Sequence, residues 1–287
     1  AEGEAVTVSL LQGNIPQNKK WEPEHLAATM RTYVRLVQES PSRLIVTPEI
    51  SFPLYYDQAP RDYLQLLAEH ARSRQGDVLV GLVERTLADD GYYNTMFSFG
   101  SSPEQSYRKY HLVPFGEYIP LKAVFGWVID VLHIPLSDFS RGKLDQPPLD
   151  LAGQRVAINI CYEDVFGEEI IMKLPQASLL VNVSNDAWFG HSIGPRQHLQ
   201  ISQMRALETG RYMLRATNTG VTAIINEQGE VLQQLEMFTT AGLHSTAQGF
   251  SGATPYVRLG NSLVFGLIGL LLLAGGGAAF SGRYKTL

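Results

Sequence analysis

The stretch "RVAINICYEDVFGEE" (155–169) places a cysteine at the end of a strand-like run. Residues 155–160 are mostly apolar and β-branched, which is typical of a buried strand. Cys161 follows directly and is the only cysteine among 287 residues. The acidic residues after it disfavour a thiolate, because nearby negative charge raises the pKa of a thiol. Cys161 is therefore either an inert core residue or a nucleophile that other residues activate.

Similar runs recur along the chain, with helical patterns between them. Apolar side chains repeat at helical spacing from Leu26 to Val37, and further helices are predicted over 60–74 and 196–210. Strands that alternate with helices indicate an α/β fold, and a late hairpin around "EQG" indicates a mixed sheet. The predicted strands cover 6–11, 44–48, 77–83, 94–100, 155–160, 179–184, 212–217, 221–226 and 230–235.

Composition excludes several classes of function. The formal net charge is −5, and no stretch is rich in lysine and arginine, so no nucleic-acid partner is expected. One cysteine rules out an intramolecular disulfide and a multi-cysteine metal site. The seven histidines show no metal-ligand spacing. We therefore expect neither a metal nor a cofactor.

The C-terminal part carries an uncharged run at 263–280. As a helix it would be roughly 27 Å long, close to the thickness of a hydrocarbon core. Arg283 and Lys285 follow the run, which predicts a cytoplasmic C-terminus and an external location for everything upstream. The alternative is a buried helix of a soluble domain.

We predict a catalytic domain at 1–257, followed by a transmembrane helix and short cytoplasmic tail at 258–287. The first residues lack the features of a signal peptide.

Residues 112–150 interrupt the α/β pattern. They combine many prolines and glycines with large apolar side chains. An insertion of this length is more often functional than structural. It either covers a lipid-accessible site or is simply buried. The apolar residues in question are Phe115, Tyr118, Ile119, Phe125, Trp127, Val128 and Ile129.

Three reactive residue types follow strand-like runs. Glu49 comes after "LIVTP", Lys109 follows a short β-like stretch, and Cys161 ends a third run. In α/β folds such strand ends usually assemble the functional site. A lysine ammonium stabilises a thiolate or an oxyanion, and a carboxylate can accept the thiol proton. The combination suits covalent catalysis by Cys161.

The glutamate of "PEIS", the lysine of "YRKYHLVPFGEYIP" and the cysteine of "ICYED" occur in the order of a known triad. The sequence resembles the nitrilase (carbon–nitrogen hydrolase) superfamily, and more closely its membrane branch, the apolipoprotein N-acyltransferase family. The resemblance runs from about residue 6 to 257. Its other motifs are "LLQGNIPQNKKW", "HLVPFGEYIPL", "VSNDAWFG", "GPRQHLQISQMRALETGRYMLRATNTG" and "TPY".

The resemblance implies an α-β-β-α sandwich in the bacterial inner membrane, with the catalytic domain on the periplasmic side and several membrane helices preceding it. It implies transfer of an acyl chain from a phospholipid, through a Cys161 thioester, to the α-amino group of an apolipoprotein's N-terminal diacylglyceryl-cysteine. A monomer is expected.

Site residues follow by resemblance, position by position. Glu49 would be the base, Lys109 the oxyanion partner and Cys161 the nucleophile. Glu117 would assist the base or orient the lysine, although a buried ion pair is an open alternative for it. Two further residues, Tyr162 and Glu163, would shape the site, and Glu163 too could belong to an ion pair.

Two other functions stay open. The same scaffold could carry an amidase or nitrilase that cleaves a small amide, but such a substrate needs neither the apolar insertion nor the C-terminal run. A membrane-tethered binding module is the second alternative, and an intact Glu-Lys-Cys set argues against it.

Overall fold

The computed structural model describes residues 1–86, 91–118, 120 and 139–283, with side chains as far as 275. These ranges contain twelve strands and seven α-helices. The strands are β1 (Val6–Gln12), β2 (Leu44–Val46), β3 (Asp77–Thr86), β4 (Gly91–Gly100), β5 (Gln105–Arg108), β6 (Leu149–Leu151), β7 (Gln154–Ile160), β8 (Leu179–Ser184), β9 (Met213–Thr217), β10 (Ala223–Ile225), β11 (Val231–Gln234) and β12 (Ala241–Ala247). The helices are α1 (Gln17–Lys20), α2 (Pro23–Glu39), α3 (Arg61–Ser73), α4 (Gly167–Ile171), α5 (Gly194–Thr209), α6 (Pro255–Leu259) and α7 (Ser262–Arg283).

The strands form two six-stranded sheets. The first has the order β12-β1-β2-β3-β4-β5, and the second has the order β11-β10-β9-β8-β7-β6. In each sheet the central pairs are parallel and the outer pairs antiparallel. The prediction of a mixed α/β arrangement is confirmed.

Side-chain alternation along the strands explains the layers. In β3, Leu79 faces the second sheet, whereas Val78 and Val80 pack on α2 and α3. In β7, Val156 and Ile158 face the first sheet, and Ala157 packs on the α4–α5 side. Helices thus cover both outer faces of two stacked sheets. This four-layer order is the α-β-β-α sandwich that the resemblance implied.

The predicted helices are present with small shifts of their ends. Pro195 lies in the first turn of α5, and Gly210 ends the helix with φ +62°. Glycine adopts the left-handed αL conformation at a lower energetic cost than other residues, so a helix commonly ends at a glycine such as Gly210. The hairpin between β10 and β11 is also present, closed by Asn226, whose side chain accepts from the N–H groups of Gln228 and Glu230.

Two strands were missed by the sequence analysis. β6 is only three residues long, which leaves almost no period to detect. β12 reads "AGLHSTA" and has few apolar residues, yet it pairs along its whole length with β1. Its pairing partner, rather than its own composition, makes it a strand.

The uncharged C-terminal run forms most of α7. Its described apolar side chains point into solvent on every side, and Leu273 is 76 % exposed. Within the residues whose side chains are described, no helix combines the length and apolarity that a membrane crossing requires. In the insertion, Ile119, Phe125, Trp127, Val128 and Ile129 lie outside the described residues.

Candidate active site

The three reactive residues predicted from the sequence line one cavity of about 380 Å³. Glu49 follows β2 of the first sheet, Lys109 follows β5 of the same sheet, and Cys161 follows β7 of the second sheet. The cavity therefore opens where strand ends of both sheets meet. Glu117 lines it as well, whereas Tyr162 and Glu163 do not.

Glu49 is held by a close approach between two backbone segments. A Cβ atom placed on Gly81 of β3 would lie 2.5 Å from the nitrogen of Ile50 and 2.6 Å from the oxygen of Pro48. Only glycine leaves room for this loop, whose Ile50 adopts φ +44°. The carboxylate is then fixed by hydrogen bonds: the Asn185 N–H donates to Oε2 at 3.0 Å.

Lys109 is an almost fully buried ammonium between two carboxylates. Its Nζ donates to Glu117 Oε1 at 2.8 Å and to Glu49 Oε1 at 3.2 Å. Burial disfavours the charged amine, but Glu117 and Glu49 outweigh it and hold the pKa of Lys109 well above its usual value. Lys109 is thus a permanent positive charge in the cavity wall.

Cys161 is held in a backbone conformation unusual for a non-glycine residue, with φ +53°. β7 ends there and a 3-10 helix, Cys161–Val165, begins. Burial, followed by Glu49, raises the pKa of the Cys161 thiol, and Lys109 opposes this increase. The resting residue is a thiol, so attack requires that its proton be removed as the new bond forms. The acidic residues that follow Cys161 in sequence were predicted to raise the pKa of the thiol, but they are not the main cause of its increase.

Glu163 turns away from the cavity and connects two segments that carry site residues. It accepts from the N–H groups of Ile160 at 2.6 Å, Tyr110 at 2.7 Å and His111 at 3.1 Å. The loop after β5 is thereby tied to the end of β7. Burial raises the pKa of Glu163. Tyr162 packs its ring against His111 and Phe166 instead of lining the cavity.

Asn94 was not singled out by the sequence analysis. This β4 residue is buried, and its Nδ2 donates to Glu49 Oε1 at 2.7 Å and to Glu117 Oε1 at 3.2 Å. It shares both acceptors with Lys109. An asparagine inside a buried strand is a polar residue that needs partners, and this is the signal that could have identified it.

A second set of buried charges lies behind Cys161. His198 of α5 has Nε2 3.2 Å from the Cys161 carbonyl oxygen and 3.0 Å from Asp164 Oδ1, while Nδ1 lies 2.9 Å from Asp186 Oδ1. Arg215 Nη2 donates to Asp186 Oδ2 at 2.8 Å. Burial and Arg215 disfavour the imidazolium, but Asp164 and Asp186 outweigh them and raise the pKa of His198 to about 9. The charged ring anchors the strained cysteine backbone.

The rim of the cavity is aromatic and exposed. Trp188 is 68 % exposed, Phe189 48 % and Phe115 44 %, and all three line the cavity. Large exposed apolar groups around a charged interior are typical of a site for a molecule with a long apolar part.

One cluster in the described ranges has the spacing of metal ligands, namely Glu22, Glu24 and His25. These residues precede or begin α2, and none of them lines the cavity. The cavity offers a thiol, a carboxylate and an ammonium, which together suffice for acyl transfer through a thioester.

The sequence profile of the carbon–nitrogen hydrolase family matches residues 7–247. The chain is 86 % identical over 286 residues to an apolipoprotein N-acyltransferase of Nitrosomonas europaea, covering 100 % of this chain and 58 % of that protein. It is 49 % identical to an apolipoprotein N-acyltransferase of Chromobacterium violaceum, covering 95 % and 53 %. The chain thus spans about half the length of the curated relatives it matches.

Solved structures share the fold. Saccharomyces cerevisiae Nit3, a member of branch 10 of the nitrilase superfamily, superposes with a TM-score of 0.65 at 16 % identity, covering 86 % of this chain and 91 % of that one. The Caenorhabditis elegans NitFhit protein superposes with a TM-score of 0.65 at 17 % identity, covering 93 % of this chain and 65 % of that one. At such identities the likeness concerns the fold alone.

Proposed function

The chain belongs to the carbon–nitrogen hydrolase family, and from that premise we propose that it transfers an acyl chain from a phospholipid to an apolipoprotein. The acceptor is the α-amino group of the N-terminal diacylglyceryl-cysteine. The observation that carries the proposal is the joint presence of Glu49, Lys109 and Cys161 in one cavity. The name shared by the relatives, apolipoprotein N-acyltransferase, supports the choice of acceptor.

In the first half-reaction, Cys161 Sγ attacks the ester carbonyl of the phospholipid while Glu49 accepts the thiol proton. The carbonyl oxygen becomes an oxyanion, which Lys109 stabilises. The C–O bond then breaks, and Glu49 returns the proton to the departing alkoxide. The products are a lysophospholipid and a thioester on Cys161.

In the second half-reaction, the neutral α-amino nitrogen of the lipoprotein attacks the thioester carbonyl. Glu49 accepts a proton from the nitrogen, and Lys109 again faces the oxyanion. The C–S bond breaks, an amide forms, and the proton passes from Glu49 to the sulfur. The enzyme returns to its thiol state.

The remaining predicted residues support this chemistry from outside the reacting atoms. Glu117 accepts from the Val113 N–H at 2.9 Å and from Lys109, so it orients the ammonium. Glu163 accepts hydrogen bonds from the N–H group of Ile160, next to Cys161, and from that of Tyr110, next to Lys109. It therefore holds the nucleophile and the lysine in fixed positions relative to each other. Tyr162 does not line the cavity and shapes the site indirectly, by packing on Phe166.

Lipid substrates account for features that a small amide would not need. The exposed Trp188, Phe189 and Phe115 offer apolar contacts to an acyl chain. Residues 263–280 anchor the catalytic domain, 1–257, to the bacterial inner membrane. The active site then lies on the periplasmic side. Residues 258–287 contain the membrane helix and a short cytoplasmic tail. The exposed leucines of α7 support this assignment. Phe115, which belongs to the 112–150 insertion, lines the cavity and supports a role for this insertion at the lipid entrance. The enzyme acts as a monomer.

The decisive experiment is intact-protein mass spectrometry of the detergent-solubilised chain after incubation with phospholipid and no acceptor. We expect an acyl adduct that is released by hydroxylamine, maps to Cys161 and is absent from Cys161→Ala. A diacylglyceryl-cysteine peptide should then discharge it as the N-acyl product.

Rapid alkylation of Cys161 by iodoacetamide without any acyl adduct would contradict transfer from phospholipid and favour a hydrolase of small amides. Slow alkylation together with no adduct would contradict a nucleophilic role for Cys161 altogether.

A further inference from the structure

Lys20 lines the active-site cavity, although its local sequence predicts no role for it. It is the last residue of α1, is only 4 % exposed, and lines the same cavity as Glu49 and Cys161. Its Nζ donates to the main-chain carbonyl of Glu49 at 3.1 Å. Among the described residues, no carboxylate lies within ion-pair distance of this ammonium. Burying an ammonium whose partner is a carbonyl and not a carboxylate costs folding free energy. A role in the active site would explain why the chain tolerates this cost.

The charges around the cavity show what Lys20 adds. In the described part of the chain, the titratable residues that line the cavity are Lys20, Glu49, Lys109, Glu117, Cys161 and Asp186. Asp186 is neutralised from behind by Arg215 and His198. Glu49 and Glu117 carry two negative charges against the single positive charge of Lys109. Without Lys20 this group is negative, and ionising Cys161 inside it is unfavourable.

We propose that Lys20 is a second active-site cation, which faces the negative charge that develops on Cys161 Sγ and then on the oxyanion. The inference rests on the proposed function. Lys109 is already shared between two carboxylates, so much of its charge is compensated. Lys20 has no such partner among the described residues and is free to respond when the thiol proton moves to Glu49.

The titration of Lys20 agrees with this position. Burial lowers the pKa of Lys20 to about 8, while Glu49 and Cys161 act in the opposite direction. The ammonium therefore predominates at neutral pH, and ionisation of the thiol strengthens it. The same coupling means that removal of the charge at position 20 must make ionisation of Cys161 harder.

The test measures alkylation of Cys161 by iodoacetamide as a function of pH in the full detergent-solubilised chain. Lys20→Gln keeps a donor for the Glu49 carbonyl but removes the charge. We expect it to slow alkylation about tenfold near neutral pH and to move the profile upward by about one pH unit. Lys20→Arg keeps the charge and should stay within about threefold of the unsubstituted chain. Lys19→Gln, at the exposed neighbouring residue, should change nothing.

A folded Lys20→Gln variant with the unsubstituted profile would overturn the proposal, as would Lys20→Arg that reacts as slowly as Lys20→Gln. Thermal melts identify folded variants, and Lys20→Met, which fills a similar volume without a buried polar atom, replaces Lys20→Gln if that variant does not fold. Absence of alkylation in the unsubstituted chain would contradict the proposed function itself, and the two failures are therefore distinguishable.

Discussion

The N–H group of Asn185 donates to Oε2 of Glu49 at 3.0 Å, so the segment after β8 of the second sheet fixes a carboxylate that follows β2 of the first. Oε1 of the same carboxylate accepts from Asn94 and Lys109. Each oxygen thus has a defined partner before any substrate is present. A base whose orientation depends on both sheets is preorganised only when the whole sandwich is folded.

Replacement of Lys109 by arginine should abolish most of the activity. The ammonium fits between Glu117 at 2.8 Å and Glu49 at 3.2 Å, and a planar guanidinium cannot occupy that space with the same geometry. We expect the rate of acyl-adduct formation to fall at least about a hundredfold. Lys143→Arg, at an exposed position, is the matched control. A near-normal rate in Lys109→Arg would mean that Lys109 does not face the oxyanion.

His198 should make stability depend on pH. The pKa of His198 is raised from 6.5 to about 9 in the folded state, so its stabilising contribution is complete below about pH 6.5 and is lost as pH rises through about 9. We expect the unsubstituted chain to lose about 1–3 kcal/mol of unfolding free energy over this interval. His198→Gln should show a flatter dependence, because its neutral amide cannot titrate.

The measurement is the melting temperature of each protein at several pH values across that range. His25→Gln provides the control, since His25 pairs with Glu22 near the surface. Equal pH dependence in His198→Gln and the unsubstituted chain would show that the ring is not charged between Asp164 and Asp186.

Gly81→Ala should disturb Glu49 through the backbone. The added methyl would lie 2.5 Å from the Ile50 nitrogen and 2.6 Å from the Pro48 oxygen, and neither atom can move independently of the loop. We expect a loss of about 1–3 kcal/mol of stability together with reduced acyl-adduct formation. Gly266→Ala meets open space on α7 and should have neither effect. Full activity in folded Gly81→Ala would contradict this explanation of how Glu49 is placed.

Trp188→Ser should separate lipid binding from thiol chemistry. The indole is 68 % exposed at the cavity rim, so its removal should weaken acyl-adduct formation from phospholipid by about tenfold while iodoacetamide alkylation of Cys161 stays unchanged. Leu232→Ser, another exposed apolar position that does not line the cavity, is the control. A parallel loss of both readouts would indicate that Trp188 holds the site together instead of contacting lipid.

Sequence patterns predicted the helices and strands in which apolar residues recur regularly over several positions. They also predicted that Glu49, Lys109 and Cys161 follow strands. They did not reveal β12, because its strand character depends on β1, a partner far away in sequence. Lys20 and Asn94 were also missed, since their importance arises from burial beside Glu49 and not from local sequence. Such contacts join segments that only the folded chain brings together.

The pairing of β1 with β12 has a consequence for how the chain folds. Ser9 and His244, which are hydrogen-bonded across these strands, are 235 residues apart in sequence, and closing so large a loop is entropically costly. The second sheet, by contrast, draws all its strands from one continuous stretch between Leu149 and Gln234. We expect this half to assemble first, since its contacts are more local. β1 then keeps an open edge until β12 docks, and during synthesis that edge is exposed to pairing with other chains.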